Sequence, residues 1–212
     1  MIAHTPKADF SYENATSTLT SLEALQLVES AQENINSSQN RITLILDLDE
    51  TLVHSSFTRP DRYDIDLIVE FNCTKYKVYV QIRPGAEDFL KAVCLRYDVY
   101  IFTASMAEYS IPVVSAIFPW FDRSHILSRN HCRVYRSVFV KDITIFQKCL
   151  SRVIIVDNSA ESFCLQPQNG ILISTWIGDE NDNALNGELL PFLSMCSECD
   201  DVRKVISSTY SR

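Results

Sequence analysis

The chain has 212 residues, 46% apolar and 22% charged, which is enough for one sizeable globular domain with a buried core. A formal net charge of −8 leaves no overall basic field, so direct nucleic-acid binding is not expected. No run approaches the roughly 18 apolar residues of a membrane span, so no spanning segment is expected either.

Residues 1–40 are rich in Ser, Thr, Asn and Gln and read as a variable N-terminal extension. Within them Thr20 and Glu23 have capping-box spacing, and Leu22, Leu25, Val28 and Ile35 suggest a modest amphipathic helix. The folded domain is expected over 41–212. It opens with Arg41-Ile-Thr-Leu-Ile-Leu-Asp47, a nearly continuous apolar run of the kind that forms a central strand buried on both faces. Residues 63–71 and 78–82 alternate, and a turn over 72–75 would join them as a hairpin, so 57–82 is read as a short β-hairpin insertion. Residues 84–97 predict a helix, with Pro84 in the first turn and Phe89, Leu90, Val93, Cys94 and Tyr97 on one face. Val99-Tyr-Ile-Phe-Thr103 repeats the buried-strand pattern. Residues 105–118 predict a second helix, in which Pro112 signals a kink or a late start. Val153-Ile-Ile-Val-Asp157 is the third buried strand. The alternation of strand and helix predicts an open α/β sheet, in which ligands bind beyond the carboxyl ends of the strands. Asp47, Thr103 and Asp157 all end strands there.

Seven cysteines, an odd number with no signal peptide before them, point to a reducing compartment. Cys196-x-x-Cys199 has no second pair at ligand spacing and reads as two packed thiols near a helix end.

The strongest local signal is Leu46-Asp47-Leu48-Asp49-Glu50-Thr51-Leu52. A carboxylate at a strand end can attack phosphorus and divide one hard displacement into two easier ones, a role that Asp47 fits. A second carboxyl two residues on, Asp49, can protonate the leaving oxygen and then deprotonate water, which favours a mildly acidic optimum where burial or nearby negative charge raises its pKa. Anionic carboxylate approaching anionic phosphate calls for a divalent cation with oxygen ligands. Asp47, a backbone carbonyl of the turn, and Asp157 or Asn158 would suffice to hold Mg2+. Thr51 would brace the loop through its hydroxyl, and His54 reads as loop support. Thr103 offers a hydroxyl and neighbouring N–H groups to phosphate, and Lys141 a compact cation for the transferring oxygens.

These residues, with Arg83-Pro-Gly, Phe102-Thr-Ala-Ser105, Val140-Lys-Asp142 and Val156-Asp-Asn-Ser159 in order, resemble the small phosphatases of the RNA polymerase II C-terminal-domain type. That family lies in the haloacid dehalogenase superfamily, and the resemblance covers about residues 41–210. It implies a Rossmann-like open parallel sheet of haloacid dehalogenase type, with the hairpin insertion near the active site. It implies Asp47 as nucleophile, Asp49 as acid/base, and magnesium held by Asp47, the Asp49 carbonyl and Asn158 with Asp157 close by. Thr103 and Lys141 would hold phosphate, and Arg129 would lie near the substrate. Phe57, Val69, Phe71, Val78 and Met106 match an apolar pocket that accepts a proline of the target peptide. The implied partner is a phosphoprotein, either the RNA polymerase II C-terminal domain or another Ser/Pro-containing protein, met in the nucleus, with the cytoplasm or the nuclear envelope as the alternative settings. The chain departs from the family at Arg136-Ser-Val-Phe139, where Gly-Asn-Tyr is usual, and at Gln147-Lys-Cys-Leu150. A phosphopeptide-binding scaffold without turnover and a small-molecule phosphatase are the alternatives.

Overall fold

The structure, a computed structural model, describes residues 41–210. The helix suggested over 20–35, with its Thr20 and Glu23, lies outside the described residues. Along the chain come β1 (Thr43–Leu46), β2 (Val53–Ser56), β3 (Ile65–Phe71), β4 (Thr74–Ile82) and α1 (Ala86–Cys94). There follow β5 (Asp98–Phe102), α2 (Ala107–Ile117), β6 (Ile126–Leu127), β7 (Arg133–Tyr135) and β8 (Val138–Val140). The chain then forms β9 (Val153–Asp157), β10 (Gly170–Leu172), a π-helical turn (Ala184–Leu189), α3 (Leu190–Cys196) and α4 (Val202–Tyr210).

The main sheet has the order β10-β9-β1-β5-β6, and every pairing in it is parallel. The expected open α/β architecture is therefore present. All four residues of β1 and all five of β9 are buried, as strands covered on both faces must be. Side chains of a strand alternate, so β1 feeds two cores. Leu44 and Leu46 join Phe89, Leu90 and Leu193 on one face, while Ile45 joins Phe102, Ile155 and Phe163 on the other. Burying Phe89 and Leu90 stabilises the fold by roughly 2–3 kcal/mol each, and their spacing on α1 explains why that helix was legible.

The insertion is larger than the sequence suggests. It is a three-stranded antiparallel flap of order β2-β4-β3. Strand β2 reads Val-His-Ser-Ser, which has no apolar alternation to announce it. The β3–β4 connection is two residues, Asn72 and Cys73, both left-handed at φ 49° and 59°, a geometry that matches the twist of the paired strands. Helix α2 begins at Ala107 and continues through Pro112. A second, short hairpin, β7–β8, has no counterpart in the sequence reading.

Arg83 ties these parts together. Its side chain is fully buried, and its Nε and Nη2 form a bidentate pair with Asp182 at 2.7 and 2.8 Å. Nη1 donates to the carbonyls of Thr51 and Ser174 at 3.1 and 3.2 Å. The loop after β1 is thereby fixed to the end of the flap and to the segment after β10. Among the described residues no helix is long and apolar enough to cross a membrane.

Candidate active site

Asp47 is the first residue beyond β1. The parallel register aligns Leu46 with Val156, so Asp47 and Asp157 leave adjacent strands side by side. The Asp47 N–H donates to the Val156 carbonyl at 2.9 Å. The chain then closes a tight turn, in which the Leu48 carbonyl accepts the N–H groups of Leu52 and Val53 at 2.9 and 3.1 Å. Glu50 is left-handed at φ 58°, a conformation that costs about 1 kcal/mol or more for a residue with a Cβ. Its carbonyl accepts from Trp176 N–H at 2.8 Å, and its carboxylate meets His54 Nδ1 at 3.1 Å. Thr51, wholly buried, donates its hydroxyl to Asp47 Oδ2 at 2.8 Å.

Lys141 enters from the residue after β8. Its Nζ lies 2.5 Å from Asp47 Oδ1 and 2.6 Å from Asp157 Oδ2, and all three side chains are buried. Burial works to lower the Lys141 pKa, but the two carboxylates outweigh it and hold the ammonium above its usual value. Asp47 moves the other way. Burial pushes it up to about 7, reinforced by Asp157 and Asp49 and opposed by Lys141. Both oxygens of Asp157 are engaged by the protein, Oδ2 by Lys141 at 2.6 Å and Oδ1 by Ser159 N–H at 2.8 Å.

Asp49 occupies a socket of hydroxyls. Thr103 Oγ1 and Ser105 Oγ each donate to Oδ2 at 2.8 Å, and the Tyr109 hydroxyl donates to Oδ1 at 2.6 Å. Tyr109 also lies 2.6 Å from Ser55 Oγ, which links α2 to the flap strand β2. Burial, then the charge of Asp49, raises the Tyr109 pKa far above its usual value, so it remains a donor. Thr103 Oγ1 in turn accepts Ser105 N–H at 2.9 Å. The sequence reading expected Thr103 and Lys141 as phosphate groups; both are also the scaffold of the two aspartates. It missed Ser105, Tyr109 and Ser55. Ser105 and Tyr109 stand four residues apart directly after a strand end, a helical spacing that would have placed both on the Asp49 side.

Asp47 and Asp157 share one ammonium and Asp49 has only hydroxyl partners, so negative charge is left uncompensated and the free oxygen donors there suit a hard cation. Both bonds of the Asp49–Val53 bridge use other groups, namely Leu48 carbonyl with Val53 N–H and Glu50 N–H with Val53 carbonyl. The Asp49 carbonyl thus has no partner among the described residues. Asn158 donates Nδ2 to Thr175 Oγ1 at 3.2 Å, which leaves its amide oxygen unpaired. Carboxylate, carbonyl and amide oxygens form a donor set that magnesium accepts.

A cavity of about 430 Å³ opens beside Asp49. Its lining includes all six residues expected to meet substrate: Phe57, Val69, Phe71, Val78, Met106 and Arg129. Tyr76 and Tyr109 complete the apolar wall, and Glu50 and Glu108 are acidic groups on it. Phe57 is 71% exposed and meets Tyr76 edge-on at 6.0 Å, while Val69 and Val78 are buried and serve the core as well. Arg129 Nε donates to the Ala104 carbonyl at 2.6 Å, which seats it at the end of β5.

Residues 42–203 match the family model described as NLI interacting factor-like phosphatase. The chain is 36% identical over 167 residues to the human carboxy-terminal domain RNA polymerase II polypeptide A small phosphatase 1, covering 79% of this chain and 64% of that protein. It is 38% identical over 173 residues to CTD small phosphatase-like protein 2 of Dictyostelium discoideum, covering 82% of this chain and 30% of that one. The chain therefore spans less than two thirds of these relatives. Among solved structures, fission yeast RNA polymerase II CTD phosphatase Fcp1-R271A bound to beryllium fluoride superposes with a TM-score of 0.57 at 19% identity. That likeness covers 87% of this chain and 58% of the other, and it shows a shared fold. By the match that spans three quarters of its length, this chain belongs to the NLI interacting factor-like phosphatase family.

Proposed function

We propose that the chain is a magnesium-dependent phosphoprotein phosphatase working through an aspartyl-phosphate on Asp47. The observation that carries this reading is Lys141 Nζ shared between Asp47 and Asp157 at 2.5 and 2.6 Å, with the hydroxyl-held Asp49 two residues on. In the first step an Asp47 carboxylate oxygen attacks phosphorus, the bond from phosphorus to the serine oxygen breaks, and Asp49 gives its proton to that oxygen. In the second step Asp49 takes a proton from water, the water oxygen attacks phosphorus, and the acyl-phosphate bond breaks to release phosphate and free Asp47. Lys141 stabilises charge on the transferring oxygens throughout. Asp47, the Asp49 carbonyl and Asn158 would hold the magnesium, with Asp157 keeping Lys141 alongside. The bound cation would supply charge neutralisation between nucleophile and phosphate.

The substrate proposed is a Ser/Pro-containing segment. The apolar lining by Phe57, Val69, Phe71, Tyr76, Val78 and Met106 supports it, since a proline ring suits such a wall. The RNA polymerase II C-terminal domain, named in the description of the human relative, is the first substrate to test, with a nuclear setting. Turnover of an aryl phosphate should require added Mg2+, and Asp47→Asn should lower kcat at least about a thousandfold while the protein stays folded. Near wild-type turnover by purified Asp47→Asn would remove the mechanism. Binding of phosphopeptide without any turnover by the wild type would make the chain a scaffold.

A further inference from the structure

Net charge is unevenly spread along this acidic chain. From Arg123 to Lys141 there are four arginines, Lys141 and no carboxylate, although the whole chain carries 27 Asp and Glu against 19 Lys and Arg. This stretch includes the β7–β8 hairpin, and both ends of the hairpin are fastened to the site. Before it, Arg129 N–H donates to the Ser105 carbonyl at 2.8 Å and Cys132 Sγ meets the Thr103 carbonyl at 3.8 Å. After it comes Lys141.

The hairpin itself stands uncovered. Its register pairs Val134 with Phe139 and Tyr135 with Val138, and these are 65%, 38%, 38% and 45% exposed. Apolar side chains in that number on a two-stranded ribbon are a surface that burial against something else would stabilise. The charges beside them are arginines stacked on rings. The Arg129 guanidinium sits 4.9 Å from the Phe139 ring, and that of Arg136 sits 5.2 Å from the Tyr135 ring. Arg133 already has Asp142 at 3.3 Å. Arg129 and Arg136 have no carboxylate partner among the described residues. Stacked arginines with free donors match phosphate and carboxylate geometry. The flap cavity carries Glu50 and Glu108 as well as Arg129, so Arg129 stands where the cavity and the hairpin meet and the two glutamates give the cavity its acidic character.

We infer that the β7–β8 hairpin is a docking rail for an acidic or phosphorylated flank of the substrate polypeptide, with Arg136 at its tip as the charge, Val134 and Phe139 as its apolar strip, and Arg129 at its junction with the flap cavity. The inference rests on the phosphoprotein reading above. It adds a direction: a second negative charge helps on the side of the target phosphoserine that leaves over the hairpin, and does not help on the side that enters the flap cavity.

The test is kcat/KM on a panel of phosphopeptides with one target phosphoserine and a second phosphoserine, or its neutral serine, placed at increasing distance on either side. The expected ratio of charged to neutral flank is about fivefold on one side, the size of one well-formed exposed ion pair, and one or below on the other. Arg136→Asn removes the charge with a residue suited to the left-handed φ of 49° at that position, and should bring the ratio to near one. Val134→Asp places a like charge on the exposed strip and should do the same. Equal ratios on the two sides, or a fivefold ratio that survives both variants, would overturn the inference. So would a single-stranded RNA oligonucleotide that binds as tightly as the doubly phosphorylated peptide and is released by Arg136→Asn. Failure of the wild type to turn over any phosphopeptide or aryl phosphate would instead sink the underlying phosphatase reading.

Discussion

A carboxyl that must give a proton to a departing serine oxygen and then take one from water has to be held in place between the two steps. Asp49 is held by Thr103, Ser105 and Tyr109, and Tyr109 alone reaches it from the helix side while also touching the flap at Ser55. A hydrogen bond to a charged group contributes about 1.5–3 kcal/mol. Tyr109→Phe should therefore lower kcat about tenfold with little change in KM for an aryl phosphate, a split that steady-state kinetics resolves. Asp47 makes a prediction about pH. Its folded pKa, about 7, lies above the 3.8 of an ordinary aspartate, so the folded chain binds this proton more tightly than the unfolded chain does. The corresponding stability is fully present below pH 4 and is lost as pH rises through 7. In EDTA, thermal unfolding of the wild type should show a steeper fall in Tm between pH 4 and 7 than Asp47→Asn does. Added Mg2+ competes with that proton, so its gain in Tm should grow from pH 5.5 to 8. A gain independent of pH would contradict the placement of Asp47 among the cation's donors.

At the scale of elements, strands and loops are held by different forces. Strands β1, β5 and β9 were legible because burial on both faces writes an unbroken apolar run into the sequence. The flap was half legible. β3 and β4 alternate, whereas polar β2 exists because the turn at Leu48 and the Arg83 clamp deliver Val53 against Ile82. Strands β7 and β8 gave no signal, since every residue in them but Val140 is exposed and no alternation is imposed on them. Arg83→Ala leaves Asp182 and two carbonyls without their buried partner, and should destabilise the domain by about 3–5 kcal/mol in denaturant unfolding. Because Arg83 holds the Asp182 carboxyl below its usual range, that contribution is present at neutral pH and is lost as acid protonates Asp182. Phe57→Ala removes an exposed wall of the cavity without opening the core. It should raise KM for a proline-flanked phosphopeptide about fivefold more than for one lacking proline. Equal changes for the two peptides would show that the cavity does not read proline.

For the whole molecule, the order of strands brings distant sequence to one edge. Residues 47, 49, 103, 141 and 157 are spread over half the chain and meet because β9, β1 and β5 are neighbours with parallel ends. The order of the motifs and the apolar runs made this edge readable in advance, including Thr51 on Asp47, whereas the six residues of the cavity were expected only from the family resemblance. Polar second partners were not readable: Tyr109 and Ser55 are ordinary residues until the fold sets them 2.6 Å apart. The account turns on covalent capture of phosphate by one side chain. Acid-quenching the enzyme during turnover of a labelled phosphopeptide, then mapping the label by peptide mass spectrometry, tests this most directly. The account predicts one phosphoryl group on the peptide containing Asp47, labile to hydroxylamine and absent from Asp47→Asn. Label on any other residue, or steady hydrolysis with no trapped phosphoenzyme and full activity in Asp47→Asn, would contradict it.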